Sequence, residues 1–164
     1  MIIKSFELNK INLNRSPFIL FYGKNDGLKN ESKKKLLKNK TLTNYEESEI
    51  LNDPGKFLES IFSKSLFENE KIIIIKRGTD KILVVLEQII DENKEGVIIL
   101  IEASALEKKS KLRKLFEKEK NCICVPFYPD NQQTLSRIAF ALMKEKNISM
   151  SSSDLNLIIN KSNG

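Results

Sequence analysis

The sequence contains no histidine and no tryptophan, and cysteine, glycine and proline are scarce. Without histidine the chain cannot build a Ser-His-Asp triad, a Cys-His pair or a histidine-ligated metal site. Its two cysteines, Cys122 and Cys124, are too few for a zinc site, and their spacing predicts that both lie on one face of a strand. We therefore expect two buried, apolar thiols in a reducing compartment, with no metal.

Long hydrophobic runs are also missing. No apolar stretch approaches the ~20 residues of a membrane-spanning helix, and the stretches present have the length of strands. Polar residues follow directly after Met1-Ile2-Ile3-Lys4, so we expect no secretory leader. These features predict a cytoplasmic protein that has no membrane partner.

The charge balance permits, but does not demonstrate, attraction to nucleic acid. Lys and Arg number 28 against 22 Asp and Glu, which gives a net charge of +6, but only four of the 28 are arginines. Lysine is a point charge that reads bases poorly, because it lacks the bidentate geometry of arginine. With 164 residues, of which 40% are hydrophobic, the chain is long enough for one globular domain or slightly more.

Short apolar runs alternate with segments of helical periodicity, which is typical of an α/β fold. The runs "KIIIIK" and "VIILIEA" are almost continuously hydrophobic, as expected for parallel strands covered on both faces. We predict a three-layer parallel sheet. The predicted strands are Phe18–Tyr22, Leu42–Glu46, Ile72–Lys76, Val97–Ile101 and Cys122–Val125. The predicted helical stripes are Ile82/Leu83/Leu86/Ile89/Ile90, Leu112/Leu115/Phe116 and Leu135/Ile138/Ala139/Leu142.

Capping signals and a change in composition divide the chain further. Asp53-Pro54 predicts a helix start, and Ser104 followed by Glu107 predicts a capping box. After Asn147 a serine cluster precedes a new apolar stripe, so we expect a first domain over 1–146 and the beginning of a second, helical domain over 147–164. The chain then stops before that second unit could bury a core, which suggests a fragment of a longer protein.

The stretch "FILFYGKNDGLKNES" runs from a strand into a glycine loop and a lysine. Aligned with the phosphate-binding pattern GxxxxGK[ST], Gly23 and Lys29 match, whereas Leu28 replaces the second glycine and Asn30 replaces the hydroxyl residue. Leucine blocks close approach of the backbone to phosphate, and asparagine is a poor substitute for the hydroxyl that binds magnesium in this pattern. Only Glu102 stands where a hydrolytic site needs an acidic pair. We therefore favour a plain strand-to-helix turn capped by Asn25 or Asp26.

An apolar pair, Leu66 and Phe67, follows the predicted helix that starts at Pro54. If that helix continued, the pair would face away from its stripe of Phe57, Leu58, Ile61 and Phe62 and would be an exposed partner site. Alternatively, the helix ends near Ser65 and the pair packs beneath the next strand. The residues alone favour the second alternative without excluding the first.

A basic stretch lies between 107 and 120. It carries Lys108, Lys109, Lys111, Arg113, Lys114 and Lys118. Interleaved glutamates, and the absence of an aromatic residue among the basic ones for base stacking, favour a solvated helix face, opposite Leu112, Leu115 and Phe116, over a DNA-binding surface.

Four blocks in fixed order resemble the delta subunit of bacterial DNA polymerase III, the clamp-opening member of the replication clamp loader. They are "FILFYGKNDGLKNE", "SLFENEKIIIIKRG", "VIILIEASALEKKSKLRKLFEKE" and "CVPFYPDNQQTLSRIAFALMKEKNISMSSSDLNLII". The resemblance implies a P-loop NTPase-like (AAA+) domain without a working nucleotide site, and therefore no cofactor. It also implies a chain without catalytic residues inside a DNA-directed DNA polymerase holoenzyme, a nucleotidyltransferase complex.

The resemblance further implies partners and a binding site. The partners are the sliding clamp (beta), the clamp-loader subunits gamma/tau and delta prime, and DNA through the assembled complex. A Ser-Leu-Phe tip inserts into the clamp in this family, and Ser65, Leu66 and Phe67 match it; Lys64 departs from it, because an apolar residue often stands there. The alternative function is a P-loop ATPase or nucleotide kinase with a divergent loop.

Overall fold

The computed structural model describes residues 1–63 and 70–162. Its centre is a five-stranded, fully parallel sheet of order β2-β3-β4-β1-β5. The strands are β1 (Phe18–Gly23), β2 (Leu42–Glu46), β3 (Lys71–Lys76), β4 (Val97–Ala103) and β5 (Cys122–Phe127). All five were predicted from their apolar runs, and each predicted strand lies within the observed one.

Seven α-helices and two short 3-10 helices surround or follow the sheet in the described ranges. The α-helices are α1 (Asp26–Leu36), α2 (Glu47–Asn52), α3 (Pro54–Phe62), α4 (Leu83–Glu92), α5 (Lys111–Lys118), α6 (Gln132–Lys146) and α7 (Ser152–Ser162). The 3-10 helices span Ser5–Lys10 and Asp80–Ile82. None of the described helices is both long and apolar enough to cross a membrane.

Alternate residues of the strands build two cores, one on each face of the sheet. On one face Leu20, Ile73 and Ile99 pack with residues of α2, α3, α4 and α5. On the other face Phe21 and Leu100 pack with α1 and the first 3-10 helix. Because side chains alternate along a strand, a strand covered on both faces is apolar throughout, as "KIIIIK" is. The three-layer α/β prediction is confirmed.

The two cysteines lie in β5, and both point into the core that packs against α2 to α5. Burial raises the pKa of the Cys122 and Cys124 thiols to about 12. They are therefore protonated near neutral pH and weak nucleophiles. The prediction of two buried, apolar thiols is confirmed.

Helix starts follow the predicted signals at two of three places. The Asp53 side chain accepts a hydrogen bond from the Lys56 amide at the start of α3, with Pro54 as the first helical residue. Asn25 accepts from the Leu28 amide at the start of α1. The predicted helix start with a capping box at Ser104–Glu107 is wrong. Helix α5 begins at Lys111, and its N-cap is Ser110.

The chain divides into two compact units, Met1–Phe127 and Tyr128–Gly164. In the second unit, Gln132 of α6 donates a hydrogen bond to Asn160 of α7, and Leu155 is buried. The predicted stripe on α6 forms within a helix, but none of its residues is buried, and Ile138 and Leu142 are about half exposed. The domain boundary between 146 and 147 stays a prediction.

Candidate functional site

The candidate nucleotide loop lies at the carboxyl edge of the sheet, between β1 and β4. The helices that follow these two neighbouring strands pack on opposite faces, α1 on one and α5 on the other. In parallel α/β sheets such a point forms the crevice where ligands bind. Gly23, Lys29 and Glu102 all belong to this edge.

Gly23 is required by the packing of β1 against β5. Its φ is +129°, and a Cβ built on it would lie 1.9 Å from the carbonyl oxygen of Phe127. A side chain at this position would therefore collide with backbone as well as strain the chain. The glycine that matches the phosphate-loop pattern thus has a structural reason of its own.

The ammonium of Lys29 lies inside the crevice. Its Nζ is 2.8 Å from the Gly23 carbonyl oxygen, 3.0 Å from the Ala103 carbonyl oxygen and 2.8 Å from Oδ1 of Asp26. The residue is 7% exposed. An ammonium has three N–H donors, so three protein oxygens within reach can use all of them. Lys29 joins the ends of β1 and β4, and its charge is directed inward.

The other two residues of the aligned pattern do not share this crevice. Leu28 is half-buried against the core on the α1 face of the sheet, and Asn30 is exposed. The structure therefore brings Gly23 and Lys29 together and places Leu28 and Asn30 elsewhere on α1.

Glu102 also has an internal partner. Its Oε1 lies 2.6 Å from Nζ of Lys33, and both side chains are about one-sixth exposed. Lys33 follows Lys29 by four residues on α1, so the two lysines lie on one side of that helix. Sequence reasoning missed Lys33, although its spacing from Lys29 was a usable signal.

The predicted clamp-binding residues Ser65, Leu66 and Phe67, with Lys64, lie outside the described residues. The structure does describe where the chain enters and leaves this segment. Helix α3 ends at Phe62, and its C-cap Ser63 is already extended, with ψ 134°. The chain returns at Glu70, directly before β3. The start of β3 lies at the amino edge of the sheet, opposite the glycine loop. Lys71 of β3 donates from Nζ to the carbonyl oxygen of Ser60 in the last turn of α3, so both ends of the segment lie at this edge.

Some basic residues in and just before α5 form ion pairs or ring contacts within the protein. Arg113 Nε lies 2.7 Å from Oε1 of Glu117, and its guanidinium lies 5.1 Å from the ring centre of Tyr22. The hydrogen bond from Arg113 to Glu117 is the main cause of a raised arginine pKa. Lys109 pairs with Glu107 at 3.0 Å. The solvated helix face expected from the sequence stays a prediction.

Sheet order, the glycine loop and the crevice between β1 and β4 define a protein of the AAA+-like α/β class. The family model for the delta subunit of DNA polymerase III matches residues 19–125, more than half of the chain. The chain belongs to the DNA polymerase III delta subunit family. The resemblance found in the sequence is confirmed.

Solved structures agree on the fold. The DNA clamp loader delta protein (YqeN) of Bacillus subtilis matches with a TM-score of 0.64 at 14% identity, over 94% of this chain and 51% of that one. RIF2 of Saccharomyces cerevisiae matches with a TM-score of 0.51 at 14% identity, over 82% of this chain and 59% of that one. The chain therefore spans about half the length of the Bacillus protein. No curated protein matches the chain.

Proposed function

We propose that this chain is a non-hydrolysing clamp-loader subunit that binds the sliding clamp and helps to open the ring for loading onto DNA during replication. The observation that carries the proposal is membership of the delta subunit family over residues 19–125. The Lys29 contacts support the non-hydrolysing part, because its donors face protein oxygens and not the open crevice.

The proposed contact is the tip Ser65-Leu66-Phe67. Its sequence places two apolar side chains next to each other in a short segment between α3 and β3. Burial of a leucine or phenylalanine in an apolar pocket contributes about 1.5–3 kcal/mol each, before the cost of ordering the segment. Together the two side chains contribute about 3–6 kcal/mol, a large share of the roughly 8 kcal/mol of a micromolar complex, so they are expected to be its main anchors.

Ring opening then follows from a difference in affinity. A tip that binds the open form of the clamp more tightly than the closed form shifts the clamp toward the open form. In this proposal the gamma/tau and delta prime subunits assemble with the chain in the cytoplasm, and DNA is reached through the assembled complex. The chain itself performs no chemical step.

Titration of the chain with the sliding clamp of the same organism tests this proposal. We expect Leu66→Ala/Phe67→Ala to weaken binding at least about tenfold, since a lost anchor costs 1.4 kcal/mol or more. Phe67→Ala alone should weaken binding more than Lys64→Ala. The matched control is Phe6→Ala/Val84→Ala, which removes two exposed apolar side chains outside the tip, from the first 3-10 helix and from the first turn of α4. Equal affinities of wild type and the tip variant would overturn the proposal.

The alternative is a P-loop ATPase or nucleotide kinase. It requires that Lys29 break its contacts with the Gly23 and Ala103 carbonyl oxygens to reach phosphate, and that Glu102 break its ion pair with Lys33. Each exchange exposes a carbonyl or a carboxylate that now has a partner. Leaving such groups unpaired in a crevice carries a cost, and for this reason we place the ATPase second.

A further inference from the structure

The last turn of α3 is the described structure that leads directly into the proposed tip. Carbonyl oxygens in the last turn of an α-helix have no partner within the helix, and they form the negative end of its dipole. Helices commonly satisfy this end with a basic residue of their own last turn. Helix α3 has no basic residue there.

Two lysines from other parts of the chain donate to carbonyl oxygens of this turn, and the Ser63 hydroxyl also donates to that of Ser60, at 3.1 Å. Lys71, the first residue of β3, donates from Nζ to the carbonyl oxygen of Ser60. Lys94, in the turn between α4 and β4, donates from Nζ to the carbonyl oxygen of Phe62. Both lysines are half-buried. Two cations thus meet the negative end of α3 at its final carbonyls.

A backbone hydrogen bond links the turn that carries Lys94 to the strand that carries Lys71. Asn93 and Gly96, which flank the Lys94 turn, have φ of +40° and +78°. The Lys71 amide donates to the Gly96 carbonyl oxygen at 2.6 Å. The turn that carries Lys94 is therefore tied to the strand that carries Lys71, and both are anchored in the sheet. The end of α3 is fixed to the sheet through these two side chains.

We propose that Lys71 and Lys94 are positioning residues for the clamp contact, because they hold the end of α3, the described structure that directly precedes the tip segment, to the start of β3 and the turn before β4. This inference rests on the proposed function. Lys71 also opens the strand that follows the segment, so the two lysines hold its entry and its exit to the same sheet edge. Removal of the ammonium groups changes contacts on both sides of the tip and none of the tip residues themselves.

The test compares Lys71→Met/Lys94→Met with wild type in two measurements. Amide hydrogen exchange at Ser63, whose N–H donates to the Glu59 carbonyl oxygen at 2.8 Å, reports on the end of α3 without any clamp. We expect exchange there to accelerate about tenfold and clamp affinity to fall about tenfold, which corresponds to 1.4 kcal/mol. The variant Lys71→Arg/Lys94→Arg keeps both cations and should recover most of both effects.

Lys34→Met/Lys38→Met is the matched control, because it removes the same charge from exposed positions on and after α1. This control should leave Ser63 exchange and clamp affinity near wild type. If the wild-type chain does not bind the clamp, the proposed function and the positioning role both fall. If wild type binds and the methionine pair binds equally well, only the positioning role falls. A single variant, Lys94→Met, gives the same decision if the double variant does not fold.

Discussion

The Lys29 ammonium, with its two backbone carbonyls and one carboxylate, shows how a single residue can close a ligand crevice. In a phosphate-binding loop the corresponding lysine meets the β- and γ-phosphate oxygens of the nucleotide. Here it joins the carbonyls at the ends of β1 and β4, and Asp26 adds a negative charge at 2.8 Å. The lysine stabilises the fold at a place where related loops bind a ligand.

Replacement of Lys29 by methionine should therefore destabilise the fold. The change leaves two buried carbonyl oxygens without their donor, which costs about 1–3 kcal/mol. For a chain of this size, each kcal/mol lowers the melting temperature by about 2–4 °C, so we expect a decrease of roughly 3–10 °C. Thermal unfolding followed by circular dichroism measures it. Lys34→Met, on the exposed side of the same helix, is the control, and an equal melting temperature for both variants would contradict a structural role.

The sequence predicted part of this site, and the limit is physical. Gly23 and Lys29 were found because the phosphate-loop pattern fixes their spacing within one loop and one helix turn. The contacts of Lys71 and Lys94 join residues 11 and 32 positions apart through the chain's tertiary packing. No local pattern encodes such a contact, because the sequence does not distinguish a lysine that donates to a distant carbonyl from one that is only solvated.

At the scale of elements, strands were easier to predict than helix ends. Runs such as "VIILIEA" can be buried only as strands of a covered parallel sheet, so periodicity was sufficient. Helix α2 was missed because six mostly polar residues give no stripe. The start of α5 was placed at Ser104 because the pattern of a capping box was present there. In the structure the helix starts after Ser110, where Asp80 of another element supplies additional partners.

Asp80 joins the 3-10 helix after β3 to the first turn of α5. Its carboxylate accepts hydrogen bonds from the Leu112 amide at 2.9 Å, the Ser110 hydroxyl at 2.7 Å and the Lys111 amide at 3.0 Å. The Leu112 amide is the main cause that lowers the pKa of Asp80, followed by the Ser110 hydroxyl. A carboxylate at a helix N-terminus is also favoured by the helix dipole.

The pKa of Asp80 is lower in the folded chain than in the unfolded chain, where it is about 3.9. Asp80 therefore stabilises the fold at pH values above about 3.9, and this stabilisation is lost as the pH falls through the pKa of the folded state. We expect Asp80→Asn to cost about 1 kcal/mol near pH 7, a value reduced for exposure of the side chain. The difference from wild type should shrink as the pH falls below about 4. Urea unfolding at pH 7 and pH 3 measures both. Asp91→Asn, at an exposed position on α4, is the control, and a cost independent of pH would contradict the assignment.

At the scale of the whole molecule, the glycine loop and the described ends of the segment that contains the proposed tip lie at opposite edges of one parallel sheet. The glycine loop follows the carboxyl end of β1, whereas the proposed tip lies between α3 and the amino end of β3. In a parallel sheet these edges are separated by the length of the strands, about 20 Å for six residues. A ligand at one edge can influence the other only through the sheet and the helices packed on it. In this chain contacts within the protein, those of Lys29 and the Lys33–Glu102 pair, join the elements at the first edge.

This arrangement predicts that Mg²⁺ and ATP leave both the stability and the clamp affinity of the isolated chain unchanged. A nucleotide that bound the folded chain would stabilise it by RT ln(1 + [L]/Kd), about 2.7 kcal/mol at a concentration of 100 Kd. Thermal unfolding with and without millimolar Mg²⁺ and ATP should give the same melting temperature, and the clamp titration should give the same affinity. Wild type and Lys29→Met should also respond alike. A saturable rise in the melting temperature of wild type that is lost in Lys29→Met would instead favour the ATPase, because it would show that Lys29 leaves its carbonyl oxygens for phosphate.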